Sequence, residues 1–235
     1  MTTDTSTAAG VPGTPTLAED LLLLLFQPDS GTIAGENTLF YVLGAAMLAD
    51  LALHGSVMTT ATRDGSVAVE AVEGREPSDE IFHSTWDYVS DRRRGVQTLL
   101  PAVGPKLRQP LLSRLIARGD IRKEKRKALG LFTTTALVDG GNGRRAGLLE
   151  NVRNALVDYA EPTPRVTALA ALVWGSGTLP QFDPVIPWNS SVIARAKELE
   201  RGNWGAAAAG EAVTRTMTAI IVNSVLVAAA VPPPQ

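Results

Sequence analysis

Residues 106–132 read KLRQPLLSRLIARGDIRKEKRKALGLF, and this stretch constrains the fold more than any other. Leu107, Leu111, Leu112, Leu115 and Ile116 recur at the spacing of one helical face. The pattern stops at Gly119, where a residue without Cβ takes the left-handed conformation that ends helices. A basic run follows at once, Arg122-Lys123-Glu124-Lys125-Arg126-Lys127, and passes into an apolar tip of Ala128, Leu129, Gly130, Leu131 and Phe132. Residues 133–138 return as a strand, so the run is one arm of a β-hairpin. Cations beside exposed apolar side chains suit an anionic membrane surface. Lys and Arg meet the head groups, and Leu129, Leu131 and Phe132 enter the acyl boundary. The same residues also suit a solvated ribbon whose tip packs on a neighbour.

The net charge of −2 conceals an asymmetry. Residues 92–127 hold twelve Lys and Arg against two acids, so the rest of the chain sums to −12. One part of an acidic molecule is therefore built to meet phosphate, nucleic acid or lipid. The candidates for anion contact are Arg92, Arg93, Arg94, Lys106, Arg108, Arg122, Lys123, Lys125, Arg126 and Lys127. Arginine outnumbers lysine 17 to 5, which with abundant Ala and Gly points to a GC-rich, bacterial coding genome. The absence of cysteine excludes disulfides, thiolate metal sites and cysteine nucleophiles. The two histidines, His54 and His83, show no HExxH spacing, and no metal or other cofactor is expected. Acids near them (Asp50; Asp79, Glu80 and Asp87) are conceivable acid–base partners, yet no nucleophile elbow, P-loop or dinucleotide fingerprint accompanies them. An enzyme is not the expected reading.

Residues 1–15 carry neither a cationic nor an apolar core, so no signal peptide is expected, and their Thr, Gly and Pro content predicts disorder. Thr16 and Glu19 form an S/T-x-x-E start for a helix over residues 17–26. A longer helix is predicted over about 37–53, stopped by Gly55 and followed by two short strands around Asp64-Gly65. Helices at 77–91 and 96–100 precede the stretch described first, and others follow at about 148–159, 164–174 and 190–200. The apolar run 217–231 holds Asn223 and Ser224 and is too short to span a bilayer, so 206–231 is read as buried helix. Leu48, Leu51, Gly55 and Val57 recur as Leu112, Leu115, Gly119 and Ile121, each 64 residues later. The expected fold is a mostly α single domain, a helical bundle with two small β-hairpins, one of them protruding. The expected location is cytosolic, with peripheral membrane contact.

Five separated blocks, in order, resemble the Golgi phosphoprotein 3 family in a bacterial form. They are Leu17-Ala18-Glu19-Asp20-Leu21-Leu22-Leu23-Leu24; Met47-Leu48-Ala49-Asp50-Leu51-Ala52-Leu53-His54-Gly55; residues 108–119 with their hairpin; Leu148-Leu149-Glu150-Asn151-Val152-Arg153; and the apolar helix 165–174. The resemblance covers residues 16–231. It implies a peripheral protein that binds phosphatidylinositol 4-phosphate through a basic pocket, inserts a hairpin tip, and acts as an adaptor for client membrane proteins. It also implies self-association through the hairpin. At the family's pocket positions this chain has Gly35, Gly44, Pro105 and Arg108, with Lys106 adjacent. Two alternatives remain. A winged-helix DNA-binding domain also presents a helix and a basic hairpin, but the helix here lacks a face able to read base edges, so nucleic acid is not the expected partner. A scaffold that self-associates through the ribbon is the other.

Overall fold

The computed structural model describes residues 13–62, 66–128, 132–202 and 218–223. Its centre is α1 (Leu17–Leu25), in which every residue is buried. A helix of nine residues is marginal in isolation. This one is fixed by burial, each enclosed leucine contributing about 1.5–3 kcal/mol, and by a complete capping box. The Glu19 N–H donates to Thr16 Oγ1 (3.0 Å), and the Thr16 N–H donates to Glu19 Oε2 (2.8 Å).

A small hairpin follows, β1 (Phe26–Gln27) with β2 (Thr32–Ile33). Then come α2 (Leu39–Leu53), β3 (Val57–Ala61), β4 (Val67–Ala71), α3 (Glu80–Ser90) and β5 (Arg94–Gly95). β3, β4 and β5 form an antiparallel sheet in that order. α4 (Val96–Val103) extends beyond the predicted 96–100 and includes Pro101. Proline costs the bond from the carbonyl of Gln97, an exposed residue that water can satisfy. A 3₁₀ turn (Gly104–Lys106) leads into α5 (Arg108–Ala117), which buries Leu111, Leu112 and Leu115, as predicted.

β6 (Ile121–Ala128) and β7 (Phe132–Asp139) form the second hairpin. α6 (Arg144–Leu156), α7 (Pro164–Gly175) and α8 (Ser190–Glu200) complete the bundle. α6 begins and ends a turn earlier than predicted, because Asn142 Oδ1 accepts the Arg144 N–H (3.1 Å) at its start. Of the run predicted as helix over 206–231, residues 218–223 are described; they are helical and bury Ile220 and Ile221. The remainder lies outside the described residues. No described helix is long and apolar enough to cross a membrane.

α2, α5, α6 and α7 pack around α1. Both α2 and α5 run antiparallel to α1. Asp50, near the end of α2, and Arg118, after the end of α5, each meet its N-terminal turn, through the Leu17 N–H and Glu19. The 64-residue echo is a structural repeat. His54, Gly55 and Ser56 donate backbone N–H groups to the carbonyls of Asp50, Ala52 and Leu51; Arg118, Gly119 and Asp120 donate to Arg114, Ile116 and Leu115. Gly55 and Gly119 take φ of 68° and 77°. Two helices thus stop in one manner and send two hairpins from the same end of the bundle.

Candidate functional site

β6 and β7 pair over their full length, from Ile121 opposite Asp139 to Ala128 opposite Phe132. Side chains alternate along a strand, so Lys123 and Lys125 share one face, and Arg122 and Glu124 the other. Arg122, Lys123, Glu124 and Lys125 are exposed, as are Thr134 and Thr135 on the return strand. Among the described residues none of Arg122, Lys123 and Lys125 enters an ion pair; Arg122 makes one long bond (3.5 Å) to the Asp139 carbonyl. Arg126, Lys127 and Phe132 are described as backbone only, and Leu129 and Leu131 lie outside the described residues.

The other predicted cations stand apart. Lys106 (exposed) and Arg108 sit at the start of α5, about 15 Å from its far end at 1.5 Å per residue. Arg108 pairs with Glu36 (2.7 Å). Arg92 and Arg93 are exposed beyond α3. Arg94 is turned inward, with Nε donating to the Tyr88 carbonyl (2.6 Å), a guanidinium 3.8 Å from the Tyr88 ring centroid, and a pair to Asp91 (3.1 Å). Of the positions carried over from the family pocket, Gly44 lies against Leu100 and Gly104, and a Cβ at Gly104 would stand 2.0 Å from the Phe40 carbonyl oxygen. Backbone-to-backbone packing of α2 on the 3₁₀ turn occupies this place.

Sequence reasoning missed an ionic cluster beneath the two hairpins. Glu19 (fully buried) accepts from Arg118 Nε (3.1 Å) and lies 3.5 Å from Arg114 Nε. Arg114 also holds Asp79 in a two-pronged pair, both contacts 2.7 Å. Asp20 receives Arg165 (2.8 and 2.5 Å) and Arg144; Arg144 also binds Asp120, and Arg165 lies 3.5 Å from Asp50. The only sequence signal was the presence of acids within apolar helices, at Glu19 and Asp20 and again at Asp50.

Charge within this cluster does not balance, since five carboxylates face four guanidiniums. The excess falls on Asp50, whose side chain is fully buried and whose carboxyl is pushed up to about 6 by burial; Arg165 and the Leu17 N–H oppose that rise. Burial also raises Asp20, against the pull of Arg165 and Arg144. The two-pronged bond from Arg114 instead holds Asp79 below the usual carboxylate range. Asp50 and Arg165 line a groove of about 1290 Å³ bounded by residues 13–16 and 74–82.

A family model described as Golgi phosphoprotein 3 (GPP34) matches residues 17–216. No curated protein matches the sequence.

Proposed function

Because the chain belongs to the Golgi phosphoprotein 3 family, we propose that it is a peripheral membrane protein that docks the β6–β7 ribbon on anionic phospholipid. The observation supporting this most is the exposure of Arg122, Lys123 and Lys125 on a ribbon that, among the described residues, offers them no carboxylate partner and has no third strand. Near an anionic bilayer each such cation contributes about 1 kcal/mol. Arg126 and Lys127 extend the same run, and Leu129, Leu131 and Phe132 supply the apolar tip.

Surface charge, rather than a dedicated pocket, governs this binding. Glycines stand at two family pocket positions, Gly35 and Gly44, and Arg108 is already paired with Glu36. Phosphatidylinositol 4-phosphate is bound in this reading as one highly charged anionic lipid among others, and the role is binding rather than catalysis. Vesicle sedimentation tests it. Changing Lys123, Lys125, Arg126 and Lys127 to Ala lowers binding to anionic vesicles; binding that survives the change refutes the reading.

A further inference from the structure

The two repeats hold their hairpins by different means. The first hairpin is backed by a third strand, β5, and by α3 and α4, which pack on β4. Among the described residues the second has no third strand, and α5 packs on β6. Its first residue pair nevertheless starts from a constrained base. At the position of Ser56 in the first repeat stands Asp120, whose side chain is almost wholly buried. Asp120 Oδ1 accepts from the Asn142 side-chain amide (2.7 Å), and Oδ2 from Arg144. The other arm of the Arg144 guanidinium reaches Asp20 on the central helix. The return strand closes over the same point: the Gly140 N–H donates to the Asp120 carbonyl (2.8 Å), and a Cβ at Gly140 would stand 1.6 Å from the Gly119 carbonyl oxygen.

We infer that Arg144 is the positioning residue of the ribbon. By bridging Asp20 and Asp120 it fastens the base of β6–β7 to α1 and sets the direction in which the cationic strand leaves the bundle. A planar guanidinium suits this role because it spans two carboxylates in fixed geometry, which an ammonium does not. The importance of that direction for lipid contact rests on the docking function proposed above; the clamp itself does not.

The test uses the full chain, with backbone amide exchange resolved by segment and sedimentation with phosphatidylcholine/phosphatidylserine vesicles. In Arg144→Gln, amides of β6–β7 exchange more than about tenfold faster while those of α2 and α7 stay within about twofold, and vesicle binding falls several-fold. Asp120→Asn gives the same pattern and leaves the Arg144–Asp20 pair in place, so it carries the test if Arg144→Gln does not fold. Arg144→Lys restores binding only in part. Unchanged ribbon exchange, or acceleration spread evenly over the chain, overturns the clamp. Faster ribbon exchange with undiminished vesicle binding overturns the positioning role. If the wild type itself does not bind vesicles, the docking reading falls, and exchange alone decides the clamp.

Discussion

Replacing Asp50 by Asn should make the protein more stable relative to wild type as the pH rises. In the native state burial pushes the Asp50 carboxyl up to about 6, from an ordinary 3.8. An acid whose native pKa is raised holds its proton longer in the folded chain than in the unfolded one. Folding is therefore unpenalised below about pH 4, weakens as pH rises through 4 to 6, and carries the full penalty above. Some two pKa units correspond to about 3 kcal/mol at neutral pH. At pH 4.5 about 1 kcal/mol of that penalty is already present, so the change between pH 4.5 and 7.5 is about 2 kcal/mol. Asn cannot ionise, yet its carbonyl can still accept the Leu17 N–H that Asp50 holds. Urea unfolding of both proteins at pH 4.5, 5.5, 6.5 and 7.5 measures the difference directly, since every group other than the Asp50 cluster cancels. The stability of Asp50→Asn minus that of wild type should climb by about 2 kcal/mol across the series. A flat difference would mean that Asp50 is paired as an ordinary carboxylate and that the charge count of the cluster is wrong.

Glu19→Gln removes the buried charge facing Arg114 and Arg118, and should cost about 3–5 kcal/mol, read as a fall in Tm of about 6–20 °C by calorimetry. Gly140→Ala forces a Cβ onto the Gly119 carbonyl and should cost about 3 kcal/mol, the upper range for overpacking, with the loss in amide protection centred on β6–β7. Vesicle binding by the wild type should fall steeply as salt is raised from 50 to 300 mM, since exposed charges are screened over a Debye length of about 8 Å near physiological strength; sedimentation across that series checks it.

Much of the fold was legible because its signals are local. The capping box at Thr16 and Glu19 and the glycine stops at 55 and 119 all act within one helical turn, and each stands where the pattern placed it. The 64-residue echo was legible for the same reason, its matched residues being those that build the helix stop. The ionic cluster was not. Glu19 meets Arg118 across 99 positions and Asp20 meets Arg165 across 145, and no local pattern ties such partners together. The early start of α6 escaped for a related reason. Arg144 and Arg145 break the apolar periodicity, and their helical placement depends on remote partners, Asp20 and Asp120 for the first and the Phe26 carbonyl for the second. At the site, the cationic strand was legible as composition, whereas the inward turn of Arg94 and the pairing of Arg108 with Glu36 required coordinates.

The chain lacks cysteine, so one introduced at Leu131 gives a unique attachment point for a nitroxide label. Depth measurement by oxygen and nickel-chelate accessibility, with and without anionic vesicles, then reads the ribbon tip alone. The account predicts that vesicle addition moves the Leu131→Cys label from a water-accessible to an oxygen-accessible environment, while a label at Thr135→Cys stays at the aqueous surface. A tip label that remains fully water-accessible on vesicle-bound protein would contradict it.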